Sequence, residues 1–184
     1  MDLQVNPVSD AADVALEHVV LQKRLPDLVE LFSSQWWTSD RTAKDVIHML
    51  AGSDIVVAAV DRTSDRFVGF ARVITDFTYV ALILDVIVAP EFQGCGIGAR
   101  IMESVVTHPR LASVRSLELV CQPDVVGFYG RWGFTERVGN SRLMRRTTDA
   151  RLASSSSRHR GAEVRRLPIT GRSLRPLCGQ FVNP

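Results

Sequence analysis

Residues 93–99 read Gln-Gly-Cys-Gly-Ile-Gly-Ala, with glycines at 94, 96 and 98 just before a segment of helical period. Residues without Cβ atoms at a helix start let several backbone N–H groups converge on one anion, and the helix dipole adds positive potential there. The chemistry implied is binding of a phosphate or pyrophosphate. A P-loop would need Lys and then Ser or Thr after its last glycine, and here Ala99 and Arg100 follow Gly98. The dinucleotide fingerprint G-x-G-x-x-G/A is formally met by Gly94, Gly96 and Ala99, with Glu118 roughly 20 residues on, which keeps an NAD-type reading open. Against it, Pro90-Glu-Phe-Gln93 separates the preceding apolar run from the first glycine, and too little patterned sequence follows Glu118 for the rest of a doubly wound sheet.

Other side chains could handle protons. Asp85 interrupts the apolar run Val80-Ala-Leu-Ile-Leu-Asp-Val-Ile-Val88. Desolvation there is expected to raise its pKa and suit it as a general base, although a structural pairing with Arg72 or a backbone amide explains it equally well. Glu118 is the reserve carboxylate. Trp36, Trp37 and Arg41 place aromatic walls beside a charge, which suits a small amphipathic amine or a carboxylate-bearing one; the same residues could instead close a core edge. Cys95 lies inside the glycine run, but His18, His48, His108 and His159 are scattered, so a covalent thiol route lacks a base. Cys95, Cys121 and Cys178 have neither zinc-site nor disulfide-framework spacing; no metal is expected, and a reducing, cytoplasmic setting is.

The elements that must hold these residues can be read from periodicity. Leu25, Leu28, Val29 and Phe32 predict an amphipathic helix with Pro26 in its first turn, and Val46, Ile47 and Leu50 predict a second one stopped near Gly52. Apolar runs at 55–60, 67–75 and 79–88, joined by short links, predict antiparallel strands. A helix over 98–107 follows the glycines, then a strand over 115–121 and a short helix opened by Pro123 and Asp124, with Val125, Val126, Phe128, Tyr129 and Trp132 apolar and Gly133 beyond. Phe134 and residues 142–147 are expected to supply closing strands. The order ααβββαβαβ implies an α/β fold, a mixed sheet with helices on both faces.

Gln93-x-x-Gly96-x-Gly98 after a strand ending Asp85-Val-Ile-Val-Ala-Pro-Glu91, with Phe128-Tyr-Gly-Arg-Trp-Gly-Phe134 some distance downstream, resembles the GNAT superfamily of acyl-CoA N-acyltransferases. The resemblance covers roughly residues 25–147. The segments WWTSDR, GFARVITD and DVIVAPEFQGCGIG look like those of small bacterial GNAT proteins, and the last also resembles plant plastid arylalkylamine acetyltransferases. The resemblance implies the GNAT fold and transfer of acetyl from acetyl-CoA directly to a primary amine. Gln93, Gly94, Cys95, Gly96, Ile97, Gly98 and Ala99 would cradle the pyrophosphate, and the main chain of Ile87 and Val88 would pair with the pantetheine arm and polarise the thioester carbonyl. Tyr129 stands where the family keeps the tyrosine that protonates the leaving thiolate, and Asp85 where many members supply an acid. One departure is Gln122-Pro123 seven residues before Tyr129, where many members have an asparagine that contacts the cofactor. A catalytically silent acetyl-CoA-binding module is the reading of a different class.

The 184 residues are 46% apolar and 23% charged, ordinary for one globular domain, and no apolar run is long enough for a membrane span. From residue 150 onward there are seven arginines and one acid, so the +2 of the chain divides into +6 there and −4 before it. The serine run and lack of period in 150–184 predict a disordered basic tail following a catalytic domain over 1–149, and the sparse aromatics there argue against a nucleic-acid arm. The partner expected is a small-molecule amine; protein lysine and a homodimer stay open, and no membrane partner is expected. Deleting residues 150–184 should leave the melting temperature within about 2 °C and acetyl-CoA binding intact, as scanning calorimetry with and without ligand will show.

Overall fold

The structure, a computed structural model, describes residues 13–20 and 22–152. Contacts divide the chain at Arg146 and Thr147. In the first unit the elements run β1 (Val14–Glu17), α1 (Leu25–Ser33), α2 (Ala43–Ala51), β2 (Ile55–Asp61), β3 (Arg66–Thr75), β4 (Val80–Val88), α3 (Ile97–Val106), β5 (Ser116–Leu119) and α4 (Val126–Gly130). The described part of the second unit, residues 147–152, is a turn in which Arg151 pairs with Asp149 at 2.8 Å. The expected disorder of the tail concerns residues that lie almost wholly outside those described.

The five strands form one sheet in sequence order, antiparallel from β1 to β4 and parallel between β4 and β5. A parallel neighbour cannot be reached by a tight turn, so the chain crosses over through α3, and the mixed sheet predicted from sequence is the sheet found. The two helical layers are sorted by alternation along β3. Phe70 points to one face and meets Phe32 of α1 edge-on at 5.4 Å. Gly69 points to the other, where a Cβ would come within 2.7 Å of Ile101 Cδ1 in α3. The core fills both layers, with Leu28, Phe32 and Val46 on the first and Ile97, Ile101, Met102 and Val105 on the second. Thr42 and Asp45 form a reciprocal capping box at the start of α2, fixing the loop that carries Asp40 and Arg41.

Two expectations fail at the sheet's ends. β1 was not anticipated: its four residues are too few for a period-2 signal, and it is held by pairing with β2 and by the Arg100 guanidinium donating to the Val14 carbonyl at 2.8 Å. The closing strands at 134 and 142–147 do not form. Gly139 turns the chain at a φ of +63°, and Val138, Leu143 and Met144 are exposed, so this segment buries no alternating face.

The close approach of β3 and α3 at Gly69 gives a prediction. Gly69→Ala should destabilise by about 1–3 kcal/mol through overpacking. Adding Ile101→Val removes the clashing Cδ1, so the double variant should be more stable than the sum of the two single losses, measured by urea unfolding in a double-mutant cycle.

Candidate active site

β4 is the organising strand. Its ladder with β3 carries an extra residue: Arg72 faces Leu84 and Phe70 faces Ile87, so Asp85 and Val86 together oppose Ala71. Asp85 takes the left-handed conformation, with φ +54°, as the first residue of such a bulge can. On its other side, pairing with β5 stops at Ile83 and Leu119. Beyond that point residues 84–88 have no β5 partner, and the two strands part. Ile87 and Val88, the residues singled out by resemblance, lie in this released stretch.

The glycine turn sits just past it. Gly94 and Gly96 have φ near +80°, a conformation costly for any residue with a side chain, and Gly96 is the N-cap of α3. No side chain caps this helix. Its first N–H groups, from Ile97, Gly98 and Ala99, have no acceptor among the described residues and point out of the helix start, as an anion site requires. Gln93 is turned the other way: its side-chain amide donates to the Val88 carbonyl at 3.0 Å and ties the turn to the end of β4. The Cys95 thiol, a free cysteine, lies 3.8 Å from the Gln93 carbonyl. Gly98 differs from the other two. Its φ is ordinary, and a Cβ there would lie 3.4 Å from Phe128, so this glycine lets α4 pack against the helix start.

That packing positions Tyr129. Phe128 meets Tyr129 at 4.9 Å and Trp132 at 5.2 Å, and the Trp132 indole N–H donates to Glu103 of α3 at 2.8 Å. Tyr129 is 9% exposed. Its hydroxyl has no hydrogen-bond partner among the described residues yet is not sealed off, so it opens on accessible space. Burial, with a smaller contribution from Cys121, pushes the phenol up to about 12.

Asp85 departs from its expectation. Its carboxylate accepts from both terminal nitrogens of Arg41, each at 2.8 Å, and from Arg72 Nε at 2.6 Å. Burial alone would raise its pKa, but the hydrogen bonds and charges of the two arginines outweigh it and hold the carboxyl below its ordinary value. Arg41 also lies over the Phe32 ring at 4.7 Å. An open cleft of about 300 Å³ adjoins this cluster, lined by Asp40, Arg41, Asp45, Met49 and Arg72. Arg41 was expected beside Trp36 and Trp37 and instead pairs with Asp85, while the Arg72–Asp85 pairing is the structural alternative read from the sequence. Trp36 and Trp37 pack on each other at 5.8 Å and do not line the cleft. Arg72, Asp40, Asp45 and Met49 were missed as cleft residues. The readable signal was Arg72, a charge inside the apolar run 67–75. Glu118 is exposed on β5 and bonded to Ser116. Among the described residues no cluster of three metal-ligating side chains exists, and no helix is long and apolar enough to cross a membrane.

Comparison with known proteins accords with this geometry. A family model described as an acetyltransferase (GNAT) domain matches residues 51–136. An uncharacterized N-acetyltransferase ycf52-like protein of Prochlorococcus marinus is 34% identical over 128 residues, 66% of this chain and 71% of that protein. The chain belongs to the GNAT acetyltransferase family. A solved structure of a putative GNAT-family acetyltransferase from Xanthomonas campestris pv. campestris is 31% identical with a TM-score of 0.60, over 72% of this chain and 93% of that one. The uncharacterized N-acetyltransferase ycf52 of Porphyra purpurea is 36% identical over 112 residues, 60% of this chain, and the match spans only 64% of that relative's length. The GNAT fold expected from the motifs is thus the fold of the chain.

The ion cluster yields a pH prediction. Because the folded-state pKa of Asp85 is depressed, its stabilisation is fully present above the unfolded-state pKa near 4 and is lost as pH falls through the lower folded-state value. Asp85→Asn leaves two arginines without the carboxylate they share and should cost about 3 kcal/mol at pH 7. The gap between wild type and variant in urea unfolding should stay constant from pH 7 to 5 and narrow below pH 4.

Proposed function

We propose that the protein transfers an acetyl group from acetyl-CoA directly to a primary amine. One observation supports this above the rest: the uncapped, glycine-entered start of α3 stands beside the stretch of β4 that has lost its β5 partner. The first offers convergent N–H donors to a pyrophosphate; the second offers an extended arm a strand edge without a β5 partner, on which the Val88 carbonyl is already taken by Gln93. Residues 93–99 would hold the phosphates and Ile87 and Val88 the arm, placing the thioester near the bulge between Tyr129 and the Asp85 cluster. An NAD-type ligand is less well served, because Glu118 is exposed and engaged with Ser116.

In the transfer the amine nitrogen bonds to the acyl carbon, the C–S bond breaks, and the sulfur leaves as thiolate. A phenol raised to about 12 stays protonated across the working pH range, as a donor must. Because that value exceeds the ordinary thiol pKa near 8.5, full proton transfer is uphill, and Tyr129 acts chiefly as a hydrogen-bond donor to the departing sulfur. Asp85 organises the acceptor side: a carboxylate held low by two guanidinium groups is a poor match for the proton of an ammonium, which leaves to water. The two described cysteines are free thiols, which suits a reducing compartment such as the cytoplasm.

Acetyl-CoA should raise the melting temperature, whereas NAD and ATP should not; a shift with NAD alone would overturn the cradle assignment. Tyr129→Phe should lower kcat by roughly 10- to 100-fold, the scale of one lost charge-assisted hydrogen bond, while leaving acetyl-CoA binding within a few-fold. The loss should shrink with acyl donors whose thiols leave more readily. Thiol release across a panel of amines is the direct assay, and its absence with every amine would favour a silent acetyl-CoA-binding module.

A further inference from the structure

Two guanidinium groups share one carboxylate at the floor of the acceptor cleft. The side chains of Arg41, Arg72 and Asp85 are 24%, 12% and 6% exposed, so one excess positive charge is held with little water around it. Arg41 spends both terminal nitrogens on Asp85. Arg72 spends only Nε, and its two terminal nitrogens have no hydrogen-bond partner among the described residues. Nor are those nitrogens enclosed: the one fully buried unpaired side-chain nitrogen or oxygen among the described residues is Arg24 Nε, far from this site, and Arg72 lines the cleft. The planar pair of N–H donors that matches a carboxylate is therefore presented to whatever enters.

The rest of the lining narrows the ligand further. Asp40 and Asp45 come from the loop before α2 and its first turn, whereas Arg72 comes from the sheet, so opposite charges are supplied from different elements. The charged residues lining the cleft sum to zero, and to −1 with Asp85 beneath the two arginines, so positive and negative charge are separated rather than one sign prevailing throughout. A simple ammonium would meet the excess positive charge on the floor, and a phosphate dianion would meet the two aspartates. A zwitterion satisfies both, and Met49, whose sulfur accepts from Arg41 at 3.3 Å, adds an apolar surface to the lining. Arg72 faces Leu84 in the ladder, immediately before the bulge and close in sequence register to Ile87, so the anion sits near the reacting centre.

We propose that the acceptor is an amine that carries its own carboxylate, an amino acid or similar zwitterion, with the terminal N–H groups of Arg72 reading the carboxylate. This rests on the reading of the cleft as the acceptor side of an acetyltransferase, and it makes Arg72 a specificity-determining residue.

The test uses the full chain and acetyl-CoA, following thiol release with matched sets: tryptophan, leucine and lysine, each beside its methyl ester and its decarboxylated amine. The free acid of at least one set should show a kcat/KM roughly 10- to 100-fold above its ester and amine, the value of a charge-assisted hydrogen bond to a buried partner. Esters have the lower amine pKa and supply more free base, which works against the expected order. Arg72→Gln should bring that ratio toward one, while Lys23→Gln, outside the cleft, should not. If Arg72→Gln fails to fold, the comparison on the wild type decides alone. Esters or decarboxylated amines turned over as fast as the acids overturn the inference and leave the acetyltransferase reading standing. No thiol release with any amine, with acetyl-CoA still raising the melting temperature, overturns both.

Discussion

One extra residue in β4 sets the layout of the site. Between Leu84 and Ile87 the strand has two residues where β3 has one, and the local twist this imposes lets β4 keep its ladder with β3 while parting from β5 after Ile83. A strand in the middle of a sheet otherwise has both edges satisfied. Here the middle of the sheet contains an edge, where residues 84 to 88 have no β5 partner and the Val88 carbonyl is taken up by Gln93. The same bulge turns Asp85 into the left-handed region and aims its carboxylate at the two arginines. The proposed donor and acceptor sides thus diverge from a single backbone irregularity.

The electrostatics of the two sides differ in kind. On the donor side the positive potential comes from backbone dipoles at the uncapped start of α3, which carry no proton to lose and hold their field at any pH. On the acceptor side it comes from ionised side chains in a cluster with one acid too few. Desolvating such a cluster costs more than one exposed pair returns, so it persists because the bulge, Phe32 and Phe70 over-determine it. The phenol of Tyr129 belongs to neither set: it is neutral, packed against Phe128 and Phe134, and burial is what keeps its proton in place.

Most of this was legible in the sequence where the signal is local. The glycine-entered start of α3 was read from glycine spacing, α1 and α2 from apolar period, and the order of β2 to β5 from run lengths and short links. Asp85 stood out as a buried acid, but its pKa was read in the wrong direction because its main partner, Arg41, is brought to it from another element by tertiary structure. Composition around one residue reports desolvation and is silent about distant charge. β1 escaped notice because a four-residue edge strand owes its form to its neighbour rather than to itself. The closing strands expected at Phe134 and 142–147 do not form, and Leu143 and Met144 within that span are left exposed, because apolar identity without alternation carries no strand signal.

The indole of Trp132 bonded to Glu103 has a mechanical consequence. Together with the contact of Phe128 on Gly98 it makes α3 and α4 one stiff body, although β5 lies between them in the chain. The groups proposed to grip the phosphates and the phenol proposed to meet the sulfur are then mounted on a common frame. Their separation is set at folding, so the entropy of bringing them into line is spent before any ligand arrives. A ligand long enough to span the frame is measured against a fixed ruler, and one that is a few ångströms too short or too long can occupy one end without reaching the other.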